Sequence, residues 1–166
     1  MMRLLVIGFS FWALAITVGG GALAASVLPV GELWDLKSAE KAKGVVLDQS
    51  KLVLLNFWAT WCTNCKYELK VQLPELSQKL GVQVVTVNID KEEARAKHYV
   101  KKFEIALPVF QDSSGSLLKD LGVVNVPHWA LYKFKAKAAS SGAWELIAHQ
   151  EGFDQEKISE LVKTNK

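Results

Sequence analysis

The sequence predicts an α/β domain in which a central mixed sheet is flanked by helices. One observation is a nearly continuous apolar run at residues 52–58, which is typical of a central strand covered on both faces. A second is the alternation of further strand-like runs, at residues 82–89 and 129–134, with helical patterns. The third is length, because about 140 residues follow an apolar leader, enough for one domain with a closed core.

The leader is an apolar targeting segment at residues 1–25. One positive residue, Arg3, precedes an apolar run at residues 4–25, and Ala22-Leu23-Ala24 has the form of a signal peptidase site. A run of about 22 residues is also long enough to span a bilayer. The segment therefore predicts either a cleaved signal peptide or a membrane anchor. In both cases residues 26–166 are delivered outside the cytoplasmic membrane.

The first elements of the domain are a weak pattern and then a strong one. Residues 26–50 predict a short strand or turn followed by a short helix that ends near Gly44. The strand at residues 52–58 follows and leads directly into two cysteines with the spacing C-x-x-C. The core of the predicted domain begins with this strand.

Cys62 and Cys65 are the only cysteines in the chain. The polar run at residues 60–64, followed by Lys66, predicts a turn that enters a helix. The positive end of a helix and its free N–H groups favour a thiolate, which is the reactive form of cysteine. Cys62 is the expected nucleophile, and Cys65, one turn further along, is expected to be more buried and to act second.

Two cysteines can also form a structural disulfide or contribute to a metal site. A disulfide that closes so short a loop would constrain the unfolded chain little. Zinc sites normally have four ligands, and His98, His128 and His149 are scattered without a metal-binding spacing. The spacing therefore favours a redox-active disulfide between Cys62 and Cys65, with no separate cofactor.

The segment F-W-A-T-W-C-x-x-C-K at residues 57–66 resembles the active-site segment of the thioredoxin superfamily. Asn56 and Glu68 make it similar to the TlpA-like, ResA-like branch, and looser similarity continues through V-N-I-D, L-P-V-F-Q-D and G-V-V-N-V-P. The resemblance implies a thioredoxin fold with a cis-proline loop beside the C-x-x-C turn. It also implies a protein-disulfide oxidoreductase that reduces specific protein disulfides outside the cytoplasmic membrane, in the periplasm or anchored to the inner membrane.

The resemblance also implies partners. They are a protein disulfide or dithiol substrate and a membrane electron donor of the DsbD or CcdA kind, with cytochrome c maturation or metal-centre assembly as the process served. The net charge of +3 comes from lysines dispersed among acidic residues, which supports neither nucleic-acid binding nor a polybasic membrane patch. A metal-handling or chaperone module with this fold, and a dithiol oxidase, remain alternatives.

Glu68 lies one helical turn beyond Cys65 on the same helix face. By resemblance, a partly buried Glu68 with a raised pKa accepts the Cys65 proton when that thiol attacks Cys62. The alternative is a solvent-facing carboxylate that pairs with Lys66 or Lys70.

Three further residues of the cysteine segment have predicted roles. Trp61 is expected to shield the cysteines and to form part of the docking surface, although simple packing is an alternative. Thr63 and Asn64, between the cysteines, are expected to tune the redox potential through local hydrogen bonds and dipoles.

The helix after Cys65 carries leucines at spacings of three and four, which predict one buried stripe. Pro74 lies inside this helix and predicts a kink or break. The family usually has its proline where this chain has Lys70. A strand parallel to the first follows at residues 82–89, and a helix at residues 91–103. After them come a short strand at residues 107–110, a turn at residues 112–115 and a short helix at residues 116–121.

By resemblance, the Val126-Pro127 bond is cis and lies against the C-x-x-C turn, with the Val126 backbone free to pair with an extended substrate. The alternative is a trans proline that begins a strand. Three interpretations of His128 stay open: an exposed residue at a strand start, a titrating modulator of the thiolate, and a third ligand for copper or zinc beside Cys62 and Cys65.

The last predicted elements are a hairpin and a helix. The strand at residues 129–134 and a second at residues 144–149 form the hairpin, in which His149 is expected on the surface without a chemical role. Asp154 is expected to cap the final helix, with Phe153 and Ile158 as a hydrophobic staple.

Overall fold

The computed structural model describes residues 34–35, for which only the backbone is considered, and residues 47–112, 114–136 and 142–166. The predicted leader at residues 1–25 and the predicted helix that ends near Gly44 lie outside the described residues. Within the described part of the chain, none of the helices combines the length and the apolar character that crossing a membrane requires.

The secondary-structure elements follow the predicted order, and most of their ends lie within two residues of the predicted positions. They are β1 (Trp34–Asp35), β2 (Val53–Trp58), α1 (Cys65–Tyr67), a π-helical turn (Glu68–Gln72), α2 (Leu73–Leu80), β3 (Gln83–Asn88), α3 (Glu93–Lys102), β4 (Val109–Gln111), α4 (Ser116–Asp120), β5 (His128–Ala136), β6 (Gly142–Glu151) and α5 (Gln155–Asn165).

The strands form one mixed sheet in the order β1-β4-β3-β2-β5-β6. β2 lies at its centre, parallel to β3 and antiparallel to β5. β5 and β6 form the predicted antiparallel hairpin, and β1 pairs antiparallel with β4 at the other edge. The sequence-based expectation of a mixed central sheet flanked by helices is therefore confirmed.

Successive side chains of β2 project to opposite faces of the sheet, and each face carries its own core cluster. On one face, Leu54 and Trp58 pack with the leucines of the helix after Cys65 and with both cysteines. We call this side the cysteine face. On the opposite face, Leu55 and Phe57 pack with residues that include Leu117 of α4. All six residues of β2 are buried, as its continuous apolar sequence predicts.

The helix after Cys65 is irregular, as Pro74 predicts, but the irregularity lies before the proline. Pro74 sits in the first turn of α2, and the preceding five residues form the π-helical turn. There the N–H of Leu73 donates to the carbonyl oxygen of Glu68, five residues back. Because Pro74 has no N–H to offer the carbonyl four residues earlier, the chain uses the wider turn without breaking the helix.

Candidate active site

The cysteine loop and the proline loop lie at the same end of the two neighbouring strands β2 and β5. β2 ends at Trp58, just before the cysteine loop, and Phe57 pairs with His128, the first residue of the antiparallel strand β5. The chain that enters β5 therefore lies beside the chain that leaves β2. The Val126-Pro127 peptide bond is cis, as the resemblance implied, and Val126 packs against both core clusters.

Cys62 and Cys65 form a disulfide in this structure. α1 begins at Cys65, so both sulfurs lie at the start of a helix, as the sequence predicts. Cys62 is 8% exposed and Cys65 is completely buried. Cys62 is therefore the less buried of the two cysteines, as the sequence predicts.

The backbone provides a donor for the Cys62 sulfur. The N–H of Cys65 donates to Cys62 Sγ over 3.3 Å. Hydrogen bonds to an ionised acceptor are stronger than those to a neutral one, so the same N–H favours a Cys62 thiolate once the disulfide is opened. The sequence predicts that free N–H groups at the helix start favour a thiolate, and the N–H of Cys65 is one such group.

Asp90 fixes the loop between β2 and the cysteines, a role that the sequence analysis missed. Its carboxylate accepts hydrogen bonds from the N–H and hydroxyl of Thr60, both at 2.9 Å. It also accepts one from the Asn88 side chain at 2.7 Å, and it is almost fully buried. The V-N-I-D motif contains both Asn88 and Asp90, so the signal was present in the sequence.

Glu68, three residues after Cys65, is buried, with only 3% of its surface exposed. The side-chain amide of Asn56, on β2, donates to Glu68 Oε2 over 3.3 Å. Burial raises the pKa of Glu68 to about 7, and the hydrogen bond from Asn56 opposes this shift. A carboxyl group that gains and loses its proton near neutral pH thus lies one helical turn from Cys65.

The alternative position of Glu68, exposed and paired with a neighbouring lysine, is wrong. Lys70 donates its Nζ proton to the carbonyl oxygen of Phe103 over 2.8 Å. Lys66 Nζ lies 4.1 Å from the centroid of the Phe103 ring. Both lysines point to α3 and its C-terminal end, while the carboxylate points into the core.

The remaining residues of the cysteine segment face solvent. Trp61 is 65% exposed, which suits the predicted docking surface and excludes a core-packing role. Thr63 and Asn64 are also exposed. Asn64 precedes α1 but makes no capping hydrogen bond through its side chain.

The interpretation of His128 as an exposed residue at a strand start is wrong, because only 6% of its surface is exposed. Its partner in the register, Phe57, belongs to the cluster opposite the cysteine face, and the two rings are in edge-to-face contact. His128 Nε2 lies 3.1 Å from Nδ1 of His149. Because His128 projects away from the cysteine face, its placement does not favour a shared metal site with Cys62 and Cys65.

The surroundings of His128 lower its pKa. Burial has the largest effect and His149 adds to it, while Glu151 opposes both. His149 is exposed, as the sequence predicts, but its expected lack of any role overlooked this contact. The two histidines lie on different strands, so local patterns do not reveal the pair.

Comparison with known proteins places the chain in a family. A profile of the AhpC/TSA family matches residues 33–140, which is well over half of the 166 residues. The chain belongs to the AhpC/TSA family. The match includes the cysteine loop, Glu68 and the cis-proline loop of this AhpC/TSA protein, and it ends before β6 and α5.

Curated relatives of this AhpC/TSA chain are thiol-disulfide oxidoreductases. It is 33% identical over 82 residues to ResA of Bacillus thuringiensis subsp. konkukian, covering 48% of this chain and 47% of that protein. It is 42% identical over 84 residues to DsbE of Escherichia coli, covering 49% and 44%. The chain thus spans about half the length of these two relatives. A longer match, to ResA of Geobacillus thermodenitrificans, has 27% identity over 129 residues, with 76% and 73% covered.

Solved structures share the fold at low identity. The N-terminal domain of PilB from Neisseria gonorrhoeae has a TM-score of 0.63 and 21% identity, covering 82% of this chain and 91% of that one. StoA from Bacillus subtilis has a TM-score of 0.57 and 22% identity, covering 78% and 92%. A thioredoxin-like protein in its oxidised form has a TM-score of 0.52 and 21% identity, covering 70% and 80%. The fold of this AhpC/TSA protein is therefore thioredoxin-like, as the resemblance implied.

Proposed function

We propose that this chain is a thiol-disulfide oxidoreductase that acts outside the cytoplasmic membrane and reduces specific protein disulfides. The observation that carries the proposal is the Cys62–Cys65 disulfide at the start of a helix, with Cys62 partly exposed and Cys65 fully buried one turn from Glu68. The similarity to ResA and DsbE proteins supports the same chemistry.

The reduced protein begins the reaction with the Cys62 thiolate. This thiolate attacks one sulfur of a substrate disulfide, and a bond forms between Cys62 and that sulfur while the substrate disulfide breaks. The other substrate sulfur leaves as a thiolate and takes a proton. Cys65 then attacks Cys62, which releases the second substrate sulfur and forms the Cys62–Cys65 disulfide. Two electrons pass from the cysteine pair to the substrate.

In this scheme Glu68 is the general base and general acid for the Cys65 thiol. Cys65 is buried away from water, so it needs a nearby base when it attacks Cys62. With a pKa of about 7, Glu68 accepts that proton at neutral pH. When a donor later reduces the disulfide, the protonated carboxyl returns a proton to the leaving Cys65 thiolate.

The docking site combines an exposed ring with a free backbone. Trp61 stands out beside the nucleophile, and Val126 precedes the cis-proline. Within the described residues, no hydrogen bond occupies the backbone of Val126. An extended substrate segment pairs there by strand addition, which recognises backbone more than sequence. In the proposal Thr63 and Asn64 tune the potential.

The proposal also covers the compartment in which the protein acts, its electron donor and the process that it serves. Residues 1–25 act as a signal peptide or membrane anchor, and residues 26–166 form the thioredoxin-like domain outside the membrane. A membrane electron donor of the DsbD or CcdA kind restores the reduced pair. Cytochrome c maturation or metal-centre assembly is the process served. The apolar leader and the ResA and DsbE relatives support these assignments.

The activity is tested with pre-reduced protein and insulin as the disulfide substrate. Precipitation of the released insulin chain is expected with the wild type and is expected to disappear with Cys62→Ser. An inert wild type that still binds a metal or a partner protein would contradict the enzyme and favour the metal-handling or chaperone alternative.

The direction of electron flow is tested in growing cells by acid quenching, thiol alkylation and a mobility shift. Mostly reduced cysteines are expected, because a donor must supply electrons continually in an oxidising compartment. A mostly oxidised pair would contradict the reductase direction and favour the dithiol oxidase.

A further inference from the structure

A surface groove of about 550 Å³ lies beside the cysteine loop on the side of α3. Thr60 forms one wall, and residues of α3 and its C-terminal end form the rest, among them Arg95, His98, Tyr99, Lys102 and Phe103. We call this the basic groove.

The basic groove is part of the surroundings of the nucleophile. Thr60 is two residues before Cys62, and Asp90 holds its backbone and hydroxyl in place. The wall of the groove is therefore fixed relative to Cys62. A protein segment that occupies the groove would contact Thr60 and so bind close to the cysteine loop.

The floor of the basic groove is aromatic. The ring centroids of Tyr99 and Phe103 are 4.5 Å apart, and Tyr99 is 5.2 Å from the buried Trp58. Both Tyr99 and Phe103 are half-buried, so part of each ring remains accessible. Such rings offer apolar contact area without mobile side chains, which lowers the entropic cost of binding.

The rim of the basic groove is cationic. Arg95 and Lys102 are exposed there, and Lys66 and Lys102 approach the same Phe103 ring at 4.1 and 5.5 Å. Within the part of the chain that the structure describes, neither lysine forms an ion pair.

Two acidic groups near this rim, Asp90 and Glu92, leave most of its charge in place. Asp90 is buried and accepts hydrogen bonds from Thr60 and Asn88. Glu92 pairs with Arg95 at 3.1 Å, and both side chains are about two-thirds exposed, so water screens this pair strongly. The groove therefore presents the charges of Lys66 and Lys102, which form no ion pair among the described residues, and the weakly paired charge of Arg95, above an aromatic floor.

We propose that the basic groove binds an acidic segment of the substrate protein, close to the disulfide that Cys62 attacks. The inference rests on the proposed function and adds a feature of the substrate to it: carboxylates and an apolar side chain near the disulfide. Complementary charge at a partly exposed surface mainly speeds association and sets specificity, and salt weakens it.

Two disulfide-linked peptides with the same length and the same apolar residue provide the test, one with Asp and Glu near the disulfide and one with Ser and Asn. We expect the pre-reduced wild type to reduce the acidic peptide with about tenfold higher kcat/KM at an ionic strength of about 0.01 M, and the preference to fade toward 1 M. The double variant Arg95→Glu, Lys102→Glu is expected to lose the preference and to keep the rate on the neutral peptide.

The matched control is the double variant Lys119→Glu, Lys163→Glu. It makes the same change in net charge on exposed positions of α4 and α5, so it is expected to keep the preference. Equal rates on the two peptides with the wild type, or equal losses in both double variants, would overturn the inference.

A binding measurement separates this inference from the proposed function. Peptides with serine in place of cysteine are titrated into the oxidised protein. Binding of the acidic peptide that Arg95→Glu, Lys102→Glu abolishes supports the groove even if no peptide is reduced, in which case the proposed function fails. Reduction of both peptides without selective binding supports the enzyme and overturns the groove.

Discussion

Burial changes the acid–base chemistry of Glu68 directly, because it raises the pKa of this carboxyl. A carboxylate in the core loses its hydration, and the single hydrogen bond from Asn56 replaces only part of it. The structure therefore holds Glu68 in its neutral form over a wider pH range than an exposed carboxyl. That preference costs stability whenever the group must ionise.

The free energy of unfolding should fall as pH rises from about 4.5 to about 7. The folded protein keeps the Glu68 proton up to a pKa of about 7, while the unfolded chain releases it near 4.5. Glu68→Gln cannot ionise and still accepts the hydrogen bond from Asn56. Above pH 7 it should be more stable than the wild type, by about 3 kcal/mol beyond any difference at pH 4. Urea unfolding of the oxidised proteins at pH 4, 5.5 and 8 measures this.

Glu75→Gln on α2 is the control, because Glu75 is exposed. It is expected to follow the pH dependence of the wild type. Parallel stability curves for Glu68→Gln and wild type across this pH range would show that Glu68 ionises freely in the folded protein.

Spacing alone reveals the cysteines but not the environment of their neighbours. A C-x-x-C pair at a helix start predicts Cys62 and Cys65 without reference to the rest of the chain. Glu68 fits both a buried and an exposed position at the same helical spacing. Asn56 and Phe103 decide between them, one by facing the carboxyl and the other by engaging the lysines. Contacts between separate elements cannot be inferred from one local pattern.

At the scale of elements, the loop after β2 depends on the connection between β3 and α3. Asp90 receives three hydrogen bonds, from the Thr60 backbone, the Thr60 hydroxyl and the Asn88 amide. Two elements that are distant in sequence thus meet at one buried carboxylate. The position of the cysteine loop follows from that contact.

Asp90→Ala should loosen this loop and destabilise the protein. Donors on Thr60 and Asn88 would lose their buried partner, at a cost of about 2–3 kcal/mol in the free energy of unfolding. Insulin reduction by the pre-reduced variant should also slow, because the loop no longer holds Cys62 in position. Urea unfolding and the insulin assay measure the two effects.

Asp48→Ala is the matched control. Asp48 also accepts hydrogen bonds from a nearby residue, Ser50, but at an exposed turn. It should lose much less stability and keep its activity. Equal effects in the two variants would mean that Asp90 is no more important than a surface carboxylate.

Element types were predictable from the sequence, whereas the form of one irregularity was not. Apolar runs and turn residues predict the strands and helices within a few residues of their ends. Pro74 predicts a disturbance because its nitrogen carries no proton. Whether a kink, a break or a π-helical turn results depends on how the leucines before it pack on the sheet, which the local sequence does not specify.

At the scale of the whole molecule, the C-terminal helix closes the core beneath the active site. Ile158 and Val162 of α5 are fully buried and belong to the same cluster as Cys65. The family match ends at residue 140, so α5 lies beyond it. The surroundings of the buried cysteine nevertheless depend on this helix.

Ile158→Ala should lower the free energy of unfolding by about 2–5 kcal/mol, because a buried side chain is removed and a cavity remains. Leu161→Ala is the control on the same helix, and its smaller buried surface should make its loss smaller. Urea unfolding of both variants measures the difference. A loss at Ile158 no larger than at Leu161 would mean that α5 does not close the core.

The order of strands in the sheet was the least accessible property from residue patterns. Hydrophobic runs show that strands exist, but the neighbours of β2 and the edge position of β1 are set by contacts across the whole chain. The family resemblance implied a thioredoxin fold with a central mixed sheet, but the prediction did not include the order of the strands. The basic groove has no such signal, since its cations and rings come together only when α1 and α3 pack near the cysteine loop.

Trapping the reaction intermediate tests the assigned order of the two cysteines most directly. Reduced Cys65→Ser and Cys62→Ser are mixed with a protein disulfide, quenched with acid and examined by intact-mass spectrometry. Cys65→Ser should accumulate a mixed disulfide through Cys62, because no second thiol can resolve it, and Cys62→Ser should accumulate none. A mixed disulfide formed mainly by Cys62→Ser, or none with either variant, would contradict Cys62 as the attacking thiol.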